Sequence, residues 1–581
     1  MITKRFAGAG MVVLFLLIAL PSSGSAYYTD FVFTMMIAYV LAQSWDWIGG
    51  EAGYINMAHY VFFGVGAYGF CLSLVAGVPL ILCFVIAPIV TIAIAFVLSF
   101  PMFRLHGDYF AFATLAMLPL AELLGLNFHF TGGADGVVLP PKYVLFEAYY
   151  ITVALAVLVV VVTVWLSRLR FGYALRGIRN DEEVAEICGI RIFPAKAKVL
   201  VLSAAFASLA GAIFGWKLSF IDPPTVFGLD VALIPVAMAL LGGSGLLWGP
   251  VVGVLILGSL NQFLVVNIAF LQTAIFGLVL LLIGRYMPGG LLRSSWVNKS
   301  RIFGFLGREH HERVLQVDVP EGTDLPLEVR ALDTEKPLLE CQGMTMAFGG
   351  NVAVNDIDLT IRQGEIVGLV GTNGSGKTTL FNLVSKVFEP KSGKILFDGI
   401  DLAGLRRDQV SRLGIGRTYQ IPRPFEDLTV QENIAIPWMF RDSGATSLSE
   451  ALARATQFAR YAGLEDQLTT RADALNLQQK KALEFARALA SRPKLLLIDE
   501  VASGLTPAEV STFVQHIRDM RDQYGVTVIW VEHIFSALAQ VVDRVVVMEQ
   551  GSILADGPLN EVVKDERVLK TYLGSAATGI E

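Results

Sequence analysis

Ten apolar stretches fill the first half of this 581-residue chain, at 8–21, 31–48, 57–76, 79–100, 109–126, 149–166, 199–217, 231–247, 250–265 and 268–285. Most approach the ~20 apolar residues that carry an α-helix across a hydrocarbon core. Lipid offers no partner to a free peptide group, so such stretches must be helical. The short Gly/Pro-bearing connections between them must be buried in protein or reach water. The pattern predicts a polytopic α-helical membrane domain of about 8–10 transmembrane helices; the stretches at 8–21, 231–247 and 250–265 are the shortest.

Basic residues orient the domain. Lys4 and Arg5 precede the first stretch, Arg104 follows the fourth and Arg285 ends the last. Arg168, Arg170, Arg176, Arg179, Arg191, Lys196 and Lys198 crowd the connection after the sixth. The other side offers little beyond Lys142 and Lys217. Both ends of the domain therefore face the cytoplasm. Lys4-Arg5, the apolar run and Gly24-Ser25-Ala26 also fit a cleavable signal peptide; we read a retained helix, and cleavage would leave later helices oriented as before.

The chain is 54% hydrophobic and 17% charged, below the ~25% charged of soluble domains. That average hides a break, because charged residues become frequent from about Glu309. The expected domains are 1–290 in the membrane, a linker or amphipathic elbow at 291–336, and a water-soluble domain at 337–581. A net charge of −6 argues against nucleic acid as a partner. Cys71, Cys83, Cys188 and Cys341 show no metal-ligand spacing and read as small hydrophobes.

In the charged half, Gly371-Thr372-Asn373-Gly374-Ser375-Gly376-Lys377-Thr378 is a complete G-x-x-x-x-G-K-[ST] loop. An apolar strand at 366–370 precedes it, and a helix beginning at Thr379 follows. The glycines let backbone N–H groups turn onto phosphate oxygens, and the helix N-terminus favours negative charge. Lys377 is expected on the terminal phosphates and Thr378 on Mg²⁺, with ATP as the nucleotide. Leu495-Leu496-Leu497-Ile498-Asp499-Glu500 reads as a buried strand tipped by carboxylates. Asp499 is expected in the Mg²⁺ shell and Glu500 as the base polarising water. His533, after a strand at 526–531, is a candidate γ-phosphate contact. Gln420 is a candidate for Mg²⁺ and for contact with the membrane domain. Phe348, before Gly349-Gly350, is placed to stack on adenine.

Phe348, the phosphate loop, Gln420, Asp499-Glu500 and His533, in that order, resemble the ATP-binding cassette of ABC transporters over 338–573. The second domain is thus expected as an α/β P-loop ABC ATPase. The resemblance implies two cassettes paired head to tail, each ATP lying between one phosphate loop and the other's signature segment. Here the Leu-Ser-Gly-Gly-Gln position reads Leu475-Asn476-Leu477-Gln478-Gln479, and side chains there obstruct close approach to phosphate. Val501 and Thr506 also depart from the family pattern. These departures favour pairing with a different cassette.

Motifs such as Gly53-Tyr54-Ile55-Asn56-Met57-Ala58-His59, Thr131-Gly132-Gly133-Ala134-Asp135-Gly136 and Leu241-Gly242-Gly243-Ser244-Gly245 resemble the permease subunits of bacterial branched-chain amino acid importers. Gly416-Arg417-Thr418-Tyr419-Gln420 resembles the matching ATPase subunit. A permease–ATPase fusion of the inner membrane is implied, with a second permease, a second ATPase and a periplasmic or lipid-anchored solute-binding protein as partners. The segment Asp181-Glu182-Glu183-Val184-Ala185-Glu186 is expected as a short helix docking on a cassette near Gln420, with Arg176, Arg179 and Glu183 carrying the contact. A half-size exporter and a membrane-tethered gating or sensing ATPase remain the alternatives.

Overall fold

The computed structural model describes residues 2–140, 142–268, 271–287, 289–294, 325–441, 447–502, 506–532 and 535–573. The chain forms two compact units, 1–179 with 193–313, and 180–192 with 314–581. The second therefore takes a 13-residue piece from within the apolar half.

The first unit is helical. Its elements are α1 (Ile2–Ala19), α2 (Ala26–Gly49), α3 (His59–Val75), α4 (Leu80–Met102), α5 (Asp108–Asn127), α6 (Leu145–Arg168) and α7 (Arg170–Asn180). After α8 (Glu182–Ile187), which belongs to the second unit, come α9 (Ile192–Leu218), α10 (Pro223–Phe227), α11 (Leu229–Gly242), α12 (Gly249–Gly253), α13 (Ser259–Asn267) and α14 (Gln272–Tyr286). A two-residue antiparallel pair, β1 (Val137–Val138) with β2 (Phe220–Ile221), ties the α5–α6 connection to the end of α9.

Among the described residues, seven helices rather than ten are long and apolar enough to cross a membrane: Ala26–Gly49, Leu80–Met102, Asp108–Asn127, Leu145–Arg168, Ile192–Leu218, Pro223–Gly242 and Gly249–Val266. Met11–Ser22 and His59–Val75 are shorter apolar helices. Some of the ten stretches include residues spent on turns. Pro21 falls in a 3₁₀ turn, and Asn56 ties the irregular approach to α3 by accepting from the Ala58 N–H at 3.0 Å.

Buried polar side chains lock these helices together. Trp45 Nε1 donates to the Asn56 carbonyl at 2.8 Å, and Trp47 Nε1 to Thr163 Oγ1 at 2.9 Å. His59 lies between Ser44 and Ser203, 3.1 Å from each hydroxyl. Small residues set the closest approaches, as lipid-embedded packing requires. A Cβ on Gly64 would fall 2.2 Å from the Phe227 ring, and one on Gly66 would fall 2.3 Å from the Ser208 carbonyl oxygen.

In the second unit, β3 (Pro337–Phe348), β4 (Asn351–Arg362), β6 (Ser392–Phe397) and β7 (Ile400–Asp401) form an antiparallel sheet in the order β4-β3-β6-β7. The other sheet runs β12-β11-β5-β10-β9-β8, built from β5 (Ile366–Gly371), β8 (Ile415–Arg417), β9 (Leu495–Asp499), β10 (Thr527–Val531), β11 (Arg544–Glu549) and β12 (Ser552–Gly557). Its neighbours from β11 to β8 are parallel, and β12 is antiparallel to β11. Every residue of β5, β9 and β10 is buried, which explains their unbroken apolar runs. Phe381, Phe397 and Leu339 fill the core shared by the sheets. Residues 325–336, expected as linker, pack onto this unit. Leu325 is buried and its N–H donates to Tyr524 Oη at 3.1 Å, while Arg330 donates to the Pro493 carbonyl at 2.6 Å.

Candidate functional site

The carboxyl ends of β5, β9 and β10 lie side by side, where an open α/β sheet binds its ligands. The loop after β5 turns into the helix Lys377–Val384, whose N-cap Gly376 has φ +104°. A Cβ there would stand 2.4 Å from the Ala353 carbonyl oxygen, so only glycine lets the loop close. Ser375 is buried, and its Oγ has no hydrogen-bond partner among the described residues. Thr372, Asn373, Gly374 and Thr378 are exposed along the open side. The loop is a cradle with an exposed rim and one unpaired buried hydroxyl.

Lys377 is buried and folds back over the loop, donating to the carbonyls of Gly371 at 2.7 Å and Thr372 at 3.0 Å. Burial pulls its ammonium below the usual lysine value, and Glu500 and Asp499 pull the other way. Asp499, also buried, sits opposite Val531 of β10. The Asp499 N–H donates to Thr418 Oγ1 at 3.1 Å, tying β9 to the segment that leads to Gln420. Glu500 takes a left-handed φ of +47°, rare for a residue with a side chain and a strain typical of working sites. Its Oε2 accepts from Gln420 Nε2 at 2.6 Å.

The structure thus brings Gly371–Thr379, Gln420, Asp499 and Glu500 to one edge. Phe348 ends β3 opposite Asn351, two residues before the Ala353 whose carbonyl faces Gly376; its ring is 45% exposed and meets Phe388 edge-on at 5.2 Å. His533 lies outside the described residues. Thr378 hydroxyl, Gln420 amide and Asp499 carboxylate are the hard oxygen donors that Mg²⁺ takes, so the donor set fits that ion.

Two features escaped the sequence reading. Lys481 Nζ donates to the Val501 carbonyl at 3.1 Å, bracing the turn after Glu500. The altered signature is a self-contained capping box: Asn476 Oδ1 accepts from the Gln479 N–H at 2.8 Å, and Gln479 Oε1 from the Asn476 N–H at 3.1 Å. Asn-x-x-Gln is the sequence signal for such a box. Gln478 Nε2 donates to Glu509 Oε1.

The piece at 180–192 occupies a cleft in the second unit. Asp181 caps α8, accepting from the Val184 N–H at 3.0 Å. Val184, Ala185, Cys188 and Ile190 are buried, and Arg407 pairs with Glu186 at 3.1 Å. Burial raises the Glu186 carboxyl, with Arg407 opposing. Arg412 donates to the Gly189 carbonyl at 2.7 Å, and Tyr419, next to Gln420, donates to Glu183 at 3.4 Å. Of the three expected contact residues, Glu183 lies in this cleft. Arg179 donates to the Gly50 carbonyl at 2.7 Å and Arg176 lies over Tyr173, both within the first unit. Within the second unit, this piece contributes the acids Glu183 and Glu186, the carbonyls of Ile187 and Gly189, and buried small apolar groups.

A phosphate cradle with paired carboxylates, fused to an apolar helical domain, defines an ATP-hydrolysing membrane transporter. Residues 27–284 match the family of branched-chain amino acid transport system permease components, and residues 354–503 match the ABC transporter family. The high-affinity branched-chain amino acid transport ATP-binding protein BraF of Pseudomonas aeruginosa is 34% identical over 253 residues, covering 42% of this chain and 99% of that protein. The corresponding protein LivG of Salmonella typhimurium is 35% identical over 253 residues, with the same two shares. The solved ADP conformation of MJ1267, an ATP-binding cassette of an ABC transporter, is 25% identical and covers 41% of this chain and 100% of that one, with a TM-score of 0.37. This chain belongs to the ABC transporters of the branched-chain amino acid type, with permease and ATPase parts in one polypeptide.

Proposed function

We propose that the chain is the permease–ATPase component of an importer that moves a branched-chain or other amino acid across the bacterial inner membrane. One observation carries the reading: two separate parts of a single chain each resemble the same transport system, one its permease and the other, over nearly its full length, its ATPase.

In this reading Phe348 stacks on adenine and Gly371–Thr379 cradles the phosphates, with Lys377 neutralising the terminal ones. Thr378, Gln420 and Asp499 would hold Mg²⁺, which when bound offsets charge on the phosphates. Glu500, oriented by the Gln420 amide, takes the proton of the attacking water, and His533 contacts the γ-phosphate. Turnover at this edge is passed to α8 through Tyr419, the neighbour of Gln420. A second permease, a second cassette with its own signature, and an external solute-binding protein complete the machine.

The test is reconstitution of the full chain with its partner subunits in proteoliposomes. Leucine-dependent ATP hydrolysis with net leucine accumulation is expected. Outward movement, or ATP turnover indifferent to amino acids, would replace the reading with an exporter or a tethered ATPase.

A further inference from the structure

Glu122 is the fifteenth of the 20 residues of α5, a carboxyl group well inside a membrane-spanning helix. Among the described residues it has no hydrogen bond and no ion pair. An acid at such a depth is costly and marks a solute or ion path by default. Glu122 lines an open cavity of ≈ 750 Å³ whose other walls include Phe214, Thr225, Gly228, Leu229 and Leu233. That volume lies in the range of small-molecule sites.

The wall opposite α5 is a broken helix. The span Pro223–Gly242 is interrupted at Gly228, where φ −57° and ψ 135° leave the helical region between α10 and α11. Irregular backbone at membrane depth is tolerated where it lines a cavity, and broken helices form the solute sites of many transporters. The short α10 is wedged in place by glycines. Cβ atoms on Gly64 and Gly125 would fall 2.2 Å from Phe227 and 3.1 Å from Pro223. The ring of Tyr68 also stacks on Phe227 at 5.9 Å. The cavity is therefore backed by closely packed helices, and among the described residues its lining is mostly apolar, with the Glu122 carboxylate and the Thr225 hydroxyl.

Resting on the import reading, we propose that this cavity is a solute site in the permease part. It takes a molecule with a protonated amine and a branched apolar side chain, the amine on Glu122 and the side chain against Phe214, Leu229 and Leu233. Among the described lining residues none is cationic, so the carboxylate of an amino acid meets no partner there and the site selects for the amine.

The test uses a Leu233→Cys variant of the full chain in lipid nanodiscs, labelled with a maleimide and read by mass spectrometry; the four native cysteines are buried. L-Leucine and 3-methylbutan-1-amine should slow labelling, and 4-methylpentanoate should not. Adding Glu122→Gln should raise the amine concentration for half protection about tenfold or more, as expected for losing a charged hydrogen bond. Glu122→Asp should retain protection. Equal protection by the carboxylate, protection unchanged by Glu122→Gln, or no protection at all overturns the site. Leucine uptake by the complete transporter is measured in parallel. Uptake with an unaltered KM in Glu122→Gln overturns the site and leaves the import reading standing. Amine protection without any amino acid uptake supports the site and removes the import reading.

Discussion

The Gln420 amide reaches across the sheet edge to Glu500, donating to Oε2 at 2.6 Å. The bond joins the end of the β8 segment to the end of β9, and Tyr419, one residue earlier, touches Glu183 of α8. One short run of backbone therefore connects the candidate base to the docked helix.

Glu500→Gln should leave ATP binding largely intact and slow turnover by ~10²-fold or more, the scale of a lost general base. Equilibrium binding of a fluorescent ATP analogue, set against steady-state phosphate release, separates the two effects. Near-normal release would take Glu500 out of that role.

Gly376→Ala should abolish nucleotide binding. The new methyl would meet the Ala353 carbonyl oxygen at 2.4 Å, and the residue must hold φ +104°. Thermal shift with saturating ATP reads this directly. A variant still stabilised by ATP would mean that the loop closes in another way.

Ala185→Phe should uncouple more completely than Glu183→Ala with Glu186→Ala. Ala185 is fully buried in its cleft, and overpacking costs ~1–3 kcal/mol, whereas part-exposed ion pairs contribute ~0–1 kcal/mol each. The ratio of solute-stimulated to basal ATPase is the readout. Greater loss in the double acid variant would make charge, not shape, the carrier.

Burial pushes the Glu484 carboxyl up to about 7, against the pull of Arg487 at 3.0 Å. The folded state then holds a proton that the unfolded chain, with an ordinary glutamate, has released. That contribution is present at low pH and is lost as pH rises through about 7. The thermal midpoint of the native chain should fall from pH 5 to pH 8 relative to Glu484→Gln, and parallel curves would count against it.

Where the partner cassette keeps Ser and Gly in its signature, Lys377→Ala should abolish transport, whereas the matching change in that partner should be milder. In the proposed pairing, an ATP covered by 475–479 would meet a helix end where Asn476 and Gln479 already satisfy one another. Native mass spectrometry of an active complex should find one copy of this chain beside another cassette. Two copies with no other cassette would contradict the arrangement.

The phosphate loop was legible because spacing, preceding strand and following helix agree at three levels. The short α8 was legible because Asp181 caps a run of acids suited to a helix N-terminus. The broken span was not: Pro223-Pro224 reads as a connection, yet these prolines occupy the first positions of α10, where a missing N–H is no loss. The cavity at Glu122 needs residues from α5, α9, α10 and α11, which no local pattern links.

The bond between Arg407 and Glu186 joins residues 221 positions apart. On the ribosome, α8 is made long before its cleft exists. The acids of the short helix stand in water until more than half of the remaining polypeptide has emerged, and only then do Val184 and Ala185 find cover. Such a distant contact forms late and slowly. A translation product cut short before Arg407 would therefore carry the first unit's helices with α8 still lacking its cleft.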